Sequence, residues 1–178
     1  MTPIKDAYCN FCGTKFPEPL AYPRTCPGCA AQIWANPIPV AVALVPVGDG
    51  LLVIRRGIPP GVGKLALVGG FVEDHESWQV GCARELSEEA NVAIDPASLR
   101  VLWVASTEPR PNRVLIFAVS DPIADLPPFA SNSETQERGV IFGAGGLDAD
   151  FAFPLHAEAA RRYFATRGIT RDHGFARR

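Results

Sequence analysis

Two groups of residues in this chain have the types and the spacing to do chemistry. The first lies in GGFVEDHESWQVGCARELSEEANV, Gly69 to Val92, where five residues separate Gly70 from Glu76 and seven separate Glu76 from Arg84. A Gly-Gly turn leads through an acidic loop into a predicted helix, with Ser77 as its N-cap and Asn91 at an αL end. At about 100° per residue, Glu85, Glu88 and Glu89 fall within about a 100° arc of one helical face. Carboxylates that close repel one another unless a cation lies among them. Hard divalent ions such as Mg²⁺ accept such oxygens together with phosphate oxygens and water. Cys82, Ala83, Leu86 and Ala90 give the helix an apolar side, and Arg84 is placed to pair with Glu76 or Glu85. An acidic, solvated helix face is the plain alternative. The fixed offsets of the glycines, Glu76, Arg84 and Leu86 weigh against it.

The second group is Cys9-x-x-Cys12 and Cys26-x-x-Cys29, with thirteen residues between the pairs. Four thiolates at this spacing bind Zn²⁺ tetrahedrally, and a closed four-cysteine site is structural rather than catalytic. Cys12-Gly13 and Cys29-Ala30 read as the tight turns of two zinc knuckles. Disulfides are disfavoured because MTPIKDAYCNFC carries no apolar signal segment, which also makes the cytoplasm the expected location. A thioredoxin-like redox pair would need a βαβ context that this segment lacks. A segment this short buries little core, so the metal is expected to supply most of its folding energy. Cys82, the fifth cysteine, reads as a packed and inert thiol.

The elements that must position these groups follow from composition and pattern. The chain of 178 residues is 47 % hydrophobic, enough for one main domain with a small appendage, and no apolar run reaches membrane-spanning length. A net charge of -2 offers no general attraction to nucleic acid or anionic membranes, so a nucleic-acid partner is not expected. Three parts are predicted: a zinc ribbon over 1–36, a main domain over 37–168 and a frayed tail over 169–178. Val40 to Val47 reads as a buried strand turning at Asp49-Gly50 into a partner strand, Leu51 to Arg55. Leu65 to Val68, Leu99 to Ala105, Arg113 to Val119 and Gly139 to Phe142 are further strands. Glu108 to Asn112 is a loop, and Asp121 to Thr135, rich in Pro, Asp and Ser, reads as mobile. Pro154 to Thr166 is a helix, with Pro near its start and Gly168 beyond its end. Strands before, between and after two helices make a mixed α/β fold rather than a doubly wound sheet.

The stretch from Gly70 to Val92 resembles the Nudix box: glycine, five residues, glutamate, seven residues, Arg-Glu-aliphatic-x-Glu-Glu-x-Gly-aliphatic. The departure inside that pattern is Asn91 in place of the last glycine, and Asn is the best substitute at an αL helix end. Val68 stands where the family often has proline, and His75 where glycine commonly precedes the first glutamate. Similarity extends to the approach strand LLVIRRGIPPGVGKLALVGGFVE, to AQIWANP after the second cysteine pair, to Ser133–Glu137 with Val140–Phe142, and to Asp148–Tyr163. These resemble Nudix proteins that carry an amino-terminal zinc ribbon.

The resemblance implies an α/β/α sandwich around a mixed sheet, preceded by a small zinc ribbon. It also implies a hydrolase that cleaves a nucleoside diphosphate linked to another moiety, using Mg²⁺ or Mn²⁺. Glu85, Glu88, Glu89 and the Gly70 carbonyl would ligate the catalytic metal; Glu76 and Arg84 would brace the loop on the helix. Arg55 or Arg56 would contact a phosphate, Arg56 matching the family position better. The general base comes from the box, with Glu89 and Glu85 as candidates, or from a later loop. There Glu137 is preferred to Glu134 because it lies nearer the following strand, and Glu108 is the outside choice. NADH-cleaving members carry a Ser-Gln-Pro-Trp-Pro-Phe-Pro stretch after the box. Here Thr107 to Arg113 reads TEPRPNR, which moves the expectation from NAD(H) toward ADP-ribose-like or flavin dinucleotides. A non-catalytic nucleotide sensor or adaptor on the same fold is the alternative, and the full set of box glutamates favours hydrolysis. The ribbon is expected to support a homodimer; a monomeric mass by light scattering would exclude that.

Overall fold

A computed structural model describes residues 6–18, 21–108 and 112–178. The chain divides into two units, Met1–Pro37 and Ile38–Arg178. The smaller unit is built on two near-identical turns. In the first, Gly13 N–H donates to the Cys9 carbonyl at 2.8 Å and Phe11 N–H to Cys9 Sγ at 3.4 Å. In the second, Ala30 N–H donates to the Cys26 carbonyl at 2.9 Å and Gly28 N–H to Cys26 Sγ at 3.4 Å. Each turn closes with a positive φ one residue after its second cysteine, +75° at Gly13 and +61° at Ala30.

The four sulfurs lie within 4.8 Å of one another, with Cys9–Cys29 at 3.8 Å and Cys12–Cys26 at 3.6 Å. A tetrahedral Zn²⁺ with bonds of about 2.3 Å needs sulfur–sulfur edges of about 3.8 Å, so this donor set fits the ion. All the cysteines are free of disulfides. Hydrogen bonds from the Thr14 side chain and backbone draw the Cys12 thiol down to about 6, toward the thiolate a metal requires. The rest of the unit is slight: strand β1 (Arg24–Thr25) pairs antiparallel with β2 (Gln32–Ile33), and Cys9, Phe16 and Cys26 are buried together with Ile33 against them.

In the larger unit, strand β3 (Ile38–Leu44) is followed by β4 (Pro46–Val47), β5 (Gly50–Arg56), β6 (Leu65–Ala66) and β7 (Val68–Phe71). Then come helix α1 (Trp78–Ala90), a 3₁₀ turn at Pro96–Ser98, β8 (Arg100–Ser106), β9 (Arg113–Val119) and β10 (Thr135–Ile141). The short helix α2 (Leu147–Asp150), helix α3 (Pro154–Thr166) and β11 (Phe175–Arg177) complete it. One sheet has the order β7-β3-β9-β8 and is mixed, because β3 and β9 run parallel. The other runs β11-β10-β5-β4, with β6 also on β5, and is antiparallel.

Alternation along β3 and β5 makes the layers. Val42, Leu44, Leu51 and Val53 join Phe117 and the buried α3 residues Ala157, Ala160 and Phe164 on one side. Ala41, Ala43, Leu52 and Ile54 meet Cys82, Leu86 and Ala90 of α1 on the other. The expected α/β/α arrangement around a mixed sheet is the one observed. No helix among the described residues is long and apolar enough to cross a membrane.

Four local expectations are corrected. The single strand expected over Val40 to Val47 breaks at Val45: β3 pairs with β7 and β9, while Pro46–Val47 pairs with β5 across a turn at Gly48-Asp49. The chain changes sheets there, and again at Leu67 between β6 and β7, which divides the strand expected over Leu65 to Val68. Hydrophobic pattern does not register such a crossing, because both sheets are buried. The segment read as mobile, Asp121 to Thr135, is tied down: Asn91 Nδ2 donates to the Pro128 carbonyl at 2.8 Å, and the buried Arg138 donates to the carbonyls of Pro127 and of Ala90. The tail read as frayed forms β11 on β10; His173 anchors it through Asp150 and the Gly145 carbonyl, both at 2.7 Å. The loop expected from Glu108 to Asn112 has residues 109–111 outside those described.

Ala30 pays the αL cost without being glycine. Relief of about 1–2 kcal/mol of strain, less about 0.4–1 kcal/mol of added unfolded-state entropy, should make Ala30→Gly stabilising by about 0.5–1 kcal/mol. A chelator competition should show zinc held about 2- to 5-fold more tightly; unchanged or weaker binding would mean this turn is not formed as described.

Candidate active site

The site is assembled from the end of β7, the loop after it and one face of α1. Ser77 caps the helix, its Oγ accepting from Val80 N–H at 3.3 Å. At the other end Asn91 adopts φ 51° and ψ 42°, with its N–H on the last helical carbonyls. Both ends match the sequence expectation.

Arg84 organises what lies between. Its Nε and Nη2 donate to the two Glu76 carboxylate oxygens at 3.2 and 2.8 Å, and Nη2 also reaches the Phe71 carbonyl at 3.1 Å. Nη1 donates to Glu85 at 2.9 Å and Glu88 at 3.1 Å. A guanidinium has five N–H donors, and here each has a partner. These bonds, with one from Glu73 N–H at 3.0 Å, hold the Glu76 carboxyl down at about 2. Gly81 makes room for it: a Cβ there would lie 2.7 Å from Glu76 Oε1, which explains a glycine in a helix interior.

Glu85, Glu88 and Glu89 line one cavity of about 220 Å³ together with Asn132, Ser133 and Glu134. Burial raises Glu85, and it raises Glu89 to about 7; the charges of Glu85 and Glu134 add to the rise at Glu89, while Gly69 N–H at 3.3 Å from Glu89 Oε2 opposes it. Gly70 presses against Glu85 so closely that a Cβ would fall 2.2 Å from Oε1. A crowded set of hard oxygen donors, two with raised carboxyls, suits a divalent cation. Glu85, Glu88 and Glu89 share that cavity, and Gly70 abuts Glu85. A larger cavity of about 610 Å³, by Phe129, Arg138 and Arg171, contains none of these carboxylates.

The remaining candidates are distributed differently. Glu137 is paired with Arg55, Nε to Oε2 at 2.7 Å, with Arg177 at 3.7 Å, and does not line the carboxylate cavity; Glu134 does. The reason is register. Glu137 lies within β10 opposite Arg55, so its closeness to the strand commits it to the ladder, whereas Glu134 precedes the strand. Glu108 is not among the cavity-lining residues. Arg56 donates to the Pro60 carbonyl at 2.8 Å and lies 4.9 Å from the Phe153 ring, and its charge acts on Glu89. His156 is pushed down to about 3 by burial, with Arg56 adding, so it is neutral at physiological pH. Cys82 is buried and pushed up to about 12, an inert thiol as expected. Asn132 was not singled out from sequence; the Asn-Ser-Glu turn before a strand was its signal.

A loop–helix carboxylate face, braced by an internal arginine, is carried on a mixed sheet between helices. The chain belongs to the NUDIX family: the profile of the NUDIX domain matches residues 37–141. Over 94 residues it is 35 % identical to the NAD-capped RNA hydrolase NudC of Stutzerimonas stutzeri, a match covering 50 % of this chain and 32 % of that protein. The chain thus spans about a third of that relative's length. A crystal structure of a NUDIX hydrolase from Nitrosomonas europaea is similar at TM-score 0.74 and 28 % identity, covering 93 % of this chain and 96 % of that one. A bifunctional NMN adenylyltransferase/ADP ribose pyrophosphatase from Francisella tularensis shares the fold, with TM-score 0.54 and 21 % identity over 74 % of this chain and 41 % of that one.

The raised Glu89 has a consequence for stability. Between the ordinary value of 4.5 and about 7 the folded protein keeps a proton that the unfolded chain has released, so stability falls as pH rises through that window. In magnesium-free buffer, the melting temperature should fall more between about pH 5 and about pH 8 in the wild type than in Glu89→Gln, where no charge can form. Equal falls would contradict a buried, raised Glu89.

Proposed function

We propose that this protein is a pyrophosphohydrolase that cleaves the diphosphate of a nucleoside diphosphate linked to a second moiety, releasing a nucleoside monophosphate. The observation that carries the reading is the intact carboxylate face of Glu85, Glu88 and Glu89 opening on a cavity of about 220 Å³. Glu85, Glu88, Glu89 and the Gly70 carbonyl would hold Mg²⁺ or Mn²⁺. When bound, such an ion neutralises the diphosphate and makes a water nucleophilic at neutral pH.

The chain's own residues supply the rest. Glu89 shares the cavity with Glu85, Glu88 and Glu134 and is the box residue that would accept the water's proton. Glu134 lines the same cavity and takes the loop-base role first assigned to Glu137, which is committed to Arg55. Glu85, paired with Arg84 Nη1 and lying against Gly70, would serve as a metal ligand. Arg84 keeps Glu76 and the box loop in place through Nε and Nη2, leaving Nη1 as the part that yields when a cation takes Glu85 and Glu88. Arg56, whose charge acts on Glu89, would contact a substrate phosphate. Zn²⁺ in the four-cysteine cluster serves structure.

For the substrate we infer a dinucleotide-type diphosphate: ADP-ribose, FAD or an NAD(H)-like compound. The S. stutzeri protein's name supports including NAD-linked substrates; the TEPRPNR sequence at residues 107–113 supports ADP-ribose and flavin. Phosphate-coupled turnover with Mg²⁺ across NADH, NAD, ADP-ribose, FAD and nucleoside triphosphates tests the reading. AMP should be released from a dinucleotide, and Glu88→Gln/Glu89→Gln should lose at least about 100-fold in kcat. A wild-type protein that binds these compounds and cleaves none would leave a nucleotide sensor instead.

A further inference from the structure

In the loop that brings Glu134 to the cavity, one side chain, Asn132, faces two ways. Asn132 Oδ1 accepts from the backbone N–H of Glu134 at 2.9 Å and of Thr135 at 2.8 Å. Asn132 Nδ2 donates to the Glu88 carbonyl at 3.1 Å. That carbonyl lies in the last turn of α1, where helix carbonyls have no partner within the helix. One planar amide therefore joins the end of the metal-binding helix to the two peptide groups flanking Glu134. The turn is closed by Asn132 N–H on the Thr135 carbonyl at 3.0 Å, and the Glu134 carbonyl accepts from Gly57 N–H at 2.6 Å. Glu134 is thus fixed through both of its peptide groups.

We propose that Asn132 is the positioning residue that holds Glu134 against the Glu85–Glu88–Glu89 face, so that helix and loop present one carboxylate set to the substrate. This rests on the pyrophosphohydrolase reading and extends its machinery from the box into the loop before β10. The chemistry calls for an amide. Aspartate would keep the acceptor for the Glu134 and Thr135 N–H groups, but it has no donor for Glu88. Its charge would also face the negative end of the helix. Alanine would remove both halves.

Two measurements on the full chain, loaded with zinc, test this. In the first, kcat and KM are determined for Asn132→Ala, Asn132→Asp, Glu134→Gln and Asn132→Ala/Glu134→Gln with the best substrate of the panel. Each Asn132 variant should lose about 10- to 100-fold in kcat with KM changed less than about 3-fold, and the double variant should be no worse than Glu134→Gln alone, as for residues acting as a unit. Wild-type kcat in Asn132→Ala, or losses that multiply, would overturn the proposal.

The second measurement needs no turnover: Mn²⁺ is titrated while the amide NMR signals of Glu134 and Thr135 are followed. Paramagnetic broadening should be strong in the wild type and much weaker in Asn132→Ala. Undiminished broadening in that variant, or none in the wild type, would overturn the positioning role. If Asn132→Ala does not fold, Asn132→Asp, which retains the turn, carries both tests. A wild type that cleaves nothing but shows the expected broadening pattern would sink the hydrolase reading and leave the positioning intact. Turnover that is indifferent to Asn132 would do the reverse.

Discussion

The Arg84 guanidinium is the fixed point of this structure. It joins a buried carboxylate at the loop's end, a carbonyl on the strand before the loop and two carboxylates on the helix's working face. Each partner comes from a different place in the box, so one side chain sets loop, strand and helix relative to one another. A buried acid such as Glu76 is tolerable only because the pairing is complete. The same cation also offsets repulsion among Glu85 and Glu88 in the absence of a metal. A lysine could not replace it, since a single ammonium cannot fork among four partners.

Around that fixed point the fold supplies closeness. Small residues on the α1 side of the sheet, Ala41, Ala43 and Ala118, let the helix pack low on β3 and β7. Low packing is what buries Glu89 and brings Gly69 N–H to it, and that burial is the cause of its raised carboxyl. The helix's C-terminal end is then used as an anchor. Asn132 and Arg138 reach carbonyls of its last residues, Glu88 and Ala90, and Asn91 reaches back to Pro128. The far loop is fastened by groups a helix end leaves unpaired, which is how a Pro- and Ser-rich segment comes to be ordered.

The four-cysteine unit follows a different physics. Its apolar cluster comprises Cys9, Phe16 and Cys26 with Ile33 against them, too little to hold a fold in water. Order comes instead from two hydrogen-bonded turns that aim four sulfurs at one point, with N–H groups donating to the sulfurs of Cys9 and Cys26.

The sequence by itself determined whatever depends on residues close along the chain. The caps of α1, its three-carboxylate face, the Arg84–Glu76 brace, the extent of β9 and α3 and the cysteine turns are all short-range. Their spacing converts directly into geometry through the helical or turn repeat. What only tertiary structure decided involves residues brought together from afar. The sheet changes at Val45 and Leu67 are invisible to hydrophobic pattern because apolar residues are buried in either sheet. That Glu134 and not Glu137 lines the carboxylate cavity turns on where β10 begins and on Arg55 standing opposite Glu137, 82 residues away in the chain. The raised carboxyl of Glu89 is likewise tertiary, since desolvation depends on what covers a residue rather than on what adjoins it.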